Sequence, residues 1–117
     1  MTSRSSDPGG RLREAQIQRQ ILDYFAGMGI PALRVNSGRA WVGHRRIVKF
    51  GDQGFPDILA WPGRGVTLAI EVKRQGEKLS PAQAEWALLL KMKGIHHMVA
   101  RSVEEVVVRI NAMREAA

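Results

Sequence analysis

The chain contains no cysteine, which excludes a disulfide framework and any thiolate-held metal. No apolar run approaches the roughly 20 residues that a membrane helix needs, and the first residues lack the apolar core of a secretory signal. These absences lead to the expectation of a cytoplasmic setting, nucleoid-associated or that of a virus-encoded intracellular protein. Internal repeats, a phosphate-cradling Gly-Lys-Thr loop and a Ser/His/Asp arrangement are also missing. The histidines His44, His96 and His97 have no metal-ligand spacing and are read as structural or solvent-facing. A last absence is local: between Asp23 and Asp52 there is no acid at all.

That acid-free stretch holds Arg34, Arg39, Arg45, Arg46 and Lys49, which suits a track for a sugar-phosphate backbone. A soluble sheet edge would account for the same arginines, but the one-sided charge favours DNA. Trp41 and Phe50, interleaved with them, are read as core residues. Over the whole chain, 18 Lys and Arg against 11 Asp and Glu give a net charge of +7 and a pI near 10.8, which again favours a polyanionic partner. A length of 117 residues fits one domain with a modest core. Residues 1–10 are rich in Ser, Gly and Pro and read as a flexible tail, leaving 11–114 for the folded domain.

The informative stretch is Gly54 to Ala60 followed by Val66 to Lys73. In the second run Val66, Leu68, Ile70 and Val72 alternate with Thr67, Ala69, Glu71 and Lys73, the period of a strand with one bulky apolar face. Glu71 and Lys73 share the other face, kept shallow by Thr67 and Ala69 so that another element can approach. A hairpin through Pro62-Gly63-Arg64-Gly65 brings Asp57 beside Glu71 and Lys73. Two carboxylates and an amine at adjoining strand ends suit a hard divalent cation such as Mg²⁺, whose bound water is a nucleophile near neutral pH. Lys73 is placed to orient that water or to offset charge on a phosphate. Taken alone, Glu71 and Lys73 would more simply be an ion pair at a sheet edge; Pro56-Asp57 upstream shifts the balance.

Helical periodicity begins at Arg11, with Ile17, Ile21, Phe25 and Met28 on one inward stripe and Gly29-Ile30-Pro31 as the stop. Glu14 lies within about 20° of that stripe, so it either projects toward the packed face or complements the helix dipole from the first turn. Ala32 to Asn36 reads as a strand, and Ala40 to Phe50 as one or two short strands bent near Gly43-His44. Gly51 to Gly54 reads as a flexible loop whose backbone can approach a phosphate. Ser80-Pro81-Ala82-Gln83 is a capping box opening a second helix. Gln83 is explained by that cap, and it also lies on the stripe with Ala87 and Leu90. Trp86, Leu88, Leu89, Leu90 and Met92 make the helix apolar most of the way round, so it should be heavily buried or touch a partner. Ile95 to Ala100 gives a last strand, and Ser102 caps a final helix with Val103, Val106, Val107 and Ile110 inward.

Pro56-Asp57 with Glu71-Val72-Lys73 resembles the PD-(D/E)xK nuclease signature. Gly51-x-x-Gly54-x-Pro56-Asp57-Ile58, Glu71-Val72-Lys73-Arg74 and Leu79-Ser80-Pro81-x-Gln83 resemble its VRR-NUC branch, over about Glu14 to Val108. The resemblance implies an α/β fold, an α-β-β-β-α-β nuclease core with a mixed central sheet flanked by helices. It implies phosphodiester hydrolysis with Mg²⁺ or Mn²⁺ and branched DNA, such as four-way junctions, as a frequent substrate. It also implies an acid on the first helix at the metal site, here Glu14, and a Gln facing that site, here Gln83.

The expected protein is therefore a metal-dependent DNA endonuclease. Asp57, Glu71 and the Val72 carbonyl hold the metal with Glu14 in support, Lys73 positions water and Gln83 orients the site. Arg34, Arg39, Arg45, Arg46, Lys49 and Arg74 face DNA. The surplus apolar surface on the second helix leads to an expected homodimer. The rival expectation is a non-catalytic DNA-binding or scaffolding module, which would have no need of two carboxylates beside DNA. A restriction-type nuclease is disfavoured because the chain shows no separate sequence-reading domain.

Overall fold

A computed structural model describes residues 12–35, 39–42, 46–49 and 54–116. The tail expected over 1–10, the bend expected near Gly43-His44 and residues 51–53 of the loop expected over Gly51 to Gly54 lie outside the described residues, as do residues 36–38 and Phe50. Helix α1 spans Glu14–Met28 and buries Ile17, Ile21 and Phe25 on one stripe. At its start the Gln16 side chain accepts the Arg13 backbone N–H at 2.8 Å. At its end Gly29, at φ +70°, reverses the chain, and the Ile30 N–H bonds to the Phe25 carbonyl at 2.9 Å. This reversal corrects one expectation. Met28 is 39% exposed, because Ile30, 5% exposed, swings back from the turn to close that end of the core.

Four strands form the main sheet in the order β1-β4-β5-β6, with β1 at Ala32–Arg34, β4 at Ile58–Gly63, β5 at Val66–Val72 and β6 at His96–Ala100. β4 and β5 are the expected hairpin, antiparallel with Ile58 opposite Ile70 and a register shift between Ala60 and Gly63. The turn is tight enough to hold Arg64 at φ +58° between two positive-φ glycines. β1 runs antiparallel to β4, with Arg34 opposite Ile58. β6 runs parallel to β5, with Val72 opposite Ala100, and helix α2 (Pro81–Met92) makes the crossover. A separate hairpin pairs β2 (Arg39–Val42) with β3 (Arg46–Lys49), Trp41 opposite Ile47. This divides the Ala40–Phe50 run into two strands.

Helix α3 (Val103–Glu115) packs on α1 over one face of the sheet, and its buried Val106 and Ile110 join Leu68, Ile70, Val72, Ile21 and Phe25 in one core. Each such buried side chain contributes about 1.5–3 kcal/mol relative to exposure. Helix α2 covers the opposite face beside β6 and is far less enclosed than its composition suggests. Only Ala87 and Leu90 are buried, whereas Leu88, Leu89 and Met92 are 61%, 43% and 73% exposed. The sheet beneath is narrow and offers the small Ala69 there, so a single stripe of the helix is covered. Trp86 is half-buried and meets Phe55 edge-on, ring centroids 5.0 Å apart.

Candidate active site

The site forms where β4 begins and β5 ends. Pro56 is fully buried and fixes the entry to β4, and the Asp57 N–H donates to the Ile70 carbonyl at 2.9 Å. Val35 N–H, just past the end of β1, donates to the Asp57 carbonyl at 2.7 Å, so Asp57 is held from both sides, by β5 and by the chain leaving β1. The Asp57 side chain turns toward β5, where Oδ2 accepts the Val72 N–H at 2.8 Å. The expected juxtaposition of Asp57 with Glu71 and Lys73 is present.

Glu71 is 3% exposed, one of two polar residues buried this deeply among the described residues. Its Oε2 accepts from the Gln83 side-chain amide at 3.2 Å. Its Oε1 is buried with no hydrogen-bond donor. Burial, then the charge of Asp57 and a hydrogen bond shared with it, push the Glu71 carboxyl up to about 8, against the pull of Lys73. With both carboxylates ionised nothing on the protein satisfies Oε1. Only a proton held against Asp57 or a cation can do so, and the donor set, hard oxygens beside an amine, fits a small divalent ion. Among the described residues no group of three His or acidic side chains stands close enough to hold a metal ion together, so Glu14 does not join Asp57 and Glu71 as a third direct ligand. An ion here would keep open positions for water and phosphate.

Gln83 reconciles two readings of one residue. Its Oε1 accepts the Ser80 N–H at 2.8 Å while Ser80 Oγ accepts the Gln83 N–H at 3.1 Å, completing the capping box. Its amide nitrogen remains free to hold Glu71. The cap thus fixes the rotamer that serves the site. Gly54 explains how α2 comes so close: a Cβ there would lie 2.6 Å from the Ala82 carbonyl carbon and 2.7 Å from the Gln83 nitrogen. The expected approach of this glycine is to a phosphate; the close approach that the structure shows is to the helix N-terminus, with Gly54 at φ +91°.

Glu14 is half-buried at the start of α1, and it feels both Asp57 and Lys73. Burial, then a hydrogen bond with Glu77, push its carboxyl up to about 7. Glu77 is a residue that the sequence reading missed. Its Oε1 accepts the Arg74 N–H at 2.7 Å, and the bond with Glu14 holds its own carboxyl below the usual range. The available signal was that Glu77 is the only acid between Glu71 and Glu85. Arg101 was missed too; its guanidinium donates to the Arg74 carbonyl and fixes the chain as it leaves β5. Lys73 is half-buried, with its N–H bonded to the Ala100 carbonyl at 3.0 Å.

Of the cationic residues assigned to DNA, Arg34 is exposed on β1 next to the Asp57 strand end, and Arg74 is half-buried beside Lys73. Arg39, Arg46 and Lys49 belong to the β2–β3 hairpin, with Arg39 opposite Lys49, and their side chains are outside those described. Arg45 lies outside the described residues, as does His44. His96 is exposed and His97 is 6% exposed.

A helix-flanked mixed sheet with an Asp at the start of one strand, Glu-x-Lys at the end of the next and a Gln on the crossover helix is the arrangement of a PD-(D/E)xK nuclease domain. The family model of the VRR-NUC domain matches residues 12–104, and the chain belongs to that family. One solved structure described as a VRR_NUC domain is 23% identical, with a TM-score of 0.63 over 84% of this chain and 94% of that one. A second, a VRR_NUC domain protein, is 22% identical with a TM-score of 0.58 over 86% of this chain and 87% of its own. No curated protein matches the chain.

Proposed function

We propose that the protein is a divalent-metal-dependent endodeoxyribonuclease that acts on branched DNA as a homodimer. The observation that carries the chemistry is the buried, donorless Oε1 of Glu71 beside Asp57. Asp57, Glu71 and the Val72 carbonyl would hold Mg²⁺ or Mn²⁺, with Glu14 supporting from α1. When bound, the ion supplies Lewis-acid polarisation of the phosphate and makes water acidic enough to attack near neutral pH. Lys73 orients the attacking water and offsets charge on the phosphoryl oxygens. Gln83 locks the Glu71 carboxylate, and Glu77 holds Glu14 on its side of the site. Water oxygen bonds to phosphorus as the bond to the 3′ oxygen breaks, leaving 5′-phosphate and 3′-hydroxyl ends. Arg34, Arg39, Arg45, Arg46, Lys49 and Arg74 track the backbone. A scaffold without catalysis would gain nothing from a buried carboxylate lacking a donor, which costs stability.

The second copy is assigned to the exposed side of α2. Trp86, Leu88, Leu89 and Met92, with Glu85, line a cavity of about 370 Å³ on that helix. Contiguous apolar surface of this kind marks an interface, and a two-fold pairing presents two active sites to symmetry-related strands of a four-way junction. The deciding experiment is a panel of labelled linear, flapped, nicked and four-way DNAs with Mg²⁺, Mn²⁺ or EDTA, run beside light scattering at micromolar concentration. Cleavage that needs the metal and favours the junction, by a particle of dimer mass, is expected. Metal-independent or absent cleavage rejects the enzyme. A monomer mass with equal cleavage of linear and branched DNA rejects both the dimer and the junction preference.

A further inference from the structure

The far end of α2 carries a cleft with a different character from the apolar patch on its outer side. It is lined by Lys91 near the helix end, Gly94 and Ile95 in the following turn, His96 and His97 at the start of β6, and Arg109 from α3, around a volume of about 370 Å³. Four of these six residues are basic and none is acidic. Among the described residues, no carboxylate pairs with Lys91 or Arg109. Lys91 lies in the last turn of α2, where the Gly94 N–H bonds to the Lys91 carbonyl at 3.1 Å and the Ile95 N–H to the Leu90 carbonyl at 2.9 Å, so these carbonyls are met by the backbone and not by its side chain. His97 is 6% exposed, and burial, then Lys91 and Arg109, hold its pKa below the ordinary value. The cleft thus sets two like charges, Lys91 from α2 and Arg109 from α3, around the buried His97 of β6, with no counter-charge supplied by the residues that line it.

Strand register relates this cleft to the active site. Ala69 stands opposite His97 and Glu71 opposite Val99, so His97 and Glu71 project from the same face of the sheet, the one that α2 covers. Gln83 holds Glu71 at one end of the helix and Lys91 lines the cleft at the other, roughly 12 Å away at 1.5 Å per residue. A DNA strand advances about 3.4 Å per nucleotide along its axis. Helix α2 therefore acts as a spacer of about three to four nucleotides.

We propose that this cleft is a second phosphate-binding site, which holds a backbone phosphate of the DNA at that distance from the scissile bond. A phosphate supplies the counter-charge that the cleft lacks. The assignment of DNA as the source of the phosphate rests on the nuclease reading; the anion site itself does not.

The test compares the full-length protein with a Lys91→Gln/Arg109→Gln variant, neither residue being part of the catalytic machinery. An NMR titration with inorganic phosphate, followed at the His97 ring, reads the cleft alone. Fluorescence anisotropy with a labelled duplex in EDTA, over a salt series, reads the DNA. The expected result is a saturable His97 shift that the double variant loses. The slope of log K against log salt should also become shallower by about 0.9, the contribution of one phosphate. Arg109→Gln alone, at wild-type melting temperature, should show part of both effects and separates the result from loss of fold. An unmoved His97 together with an unchanged slope overturns the proposal. A His97 shift with an unchanged slope overturns DNA as the source and leaves a free phosphate or mononucleotide site. Failure of the wild type to cut any DNA rejects the nuclease reading, while the phosphate titration still decides the cleft.

Discussion

The two faces of β5 divide the work of the protein between alternate residues of a single strand. Leu68, Ile70 and Val72 point into a core closed by α1 and α3 and are all fully buried. Ala69 and Glu71, on the other face, are equally shielded from water, but by a helix that buries only two side chains of its own. One face is packed for stability. The other accepts a carboxylate with an unmet oxygen, which a purely structural sheet would not keep. Depth of burial therefore does not separate core from site in this protein; the presence or absence of a partner for the buried atom does.

This contrast can be broken from either side. The largest effect is expected from Asp57→Asn or Glu71→Gln, which remove charge with little change of shape. DNA cleavage should fall by orders of magnitude while duplex affinity, measured by anisotropy, survives or increases. Wild-type nicking by either purified variant would remove these residues from the site. On the opposite face, Ile70→Ala should cost about 2–5 kcal/mol of unfolding free energy, read from a denaturant midpoint, by leaving a cavity.

The pH dependence sharpens the comparison. Glu71 titrates near 8 in the folded protein against an ordinary 4.5, so between those values the native state holds a proton that the unfolded chain has released. The unfolded state then binds fewer protons, and stability must fall as pH rises from about 4.5 to about 8. Glu14, raised to about 7, adds a slope of the same sign. In EDTA the melting temperature should decline across that window, and Glu71→Gln should flatten the decline. Ile70→Ala should lower the whole curve without changing its shape.

The smallest effect on stability is expected for Gln83→Glu. A glutamate at the third helical position still closes the capping box with Ser80, so the melting temperature should move little. The amide donor to Glu71 is replaced by a second carboxylate, however, and cleavage should drop. Full activity at unchanged stability would make capping the whole role of Gln83.

Much of this arrangement was legible in the chain because it depends on local rules. Alternation over Val66–Val72 fixed which residues share a face, the Gly-rich stretch Pro62–Gly65 signalled the hairpin although its turn proper is Arg64-Gly65, and that pairing places Asp57 opposite Glu71. Ser80-Pro81-x-Gln83 specified the start of α2 by its own hydrogen bonds. Less legible was anything that depended on where a helix end meets the sheet. Periodicity placed Met28 with Ile21, but a helix stripe does not say where the sheet beneath it stops. Composition left α2 either heavily buried or facing a partner, and the choice between them depends on the width of the surface offered to it.

The sequence by itself determined the β4–β5 pairing, the caps at Ser80 and Ser102, the inward stripe of α1 as far as Phe25 and the nuclease family, since each rests on contacts between near neighbours or on short spacings. Only the tertiary structure decided that Gln83 serves cap and site together, that Glu77 takes hold of Glu14 from the loop after β5, and that Gly54 is required by the N-terminus of α2. It also decided that Lys91, His97 and Arg109 meet around one cleft. These residues are brought together by the crossover from β5 to β6 and by the packing of three helices on two faces. Such long-range closure depends on the shape of the whole core, and no local pattern encodes it.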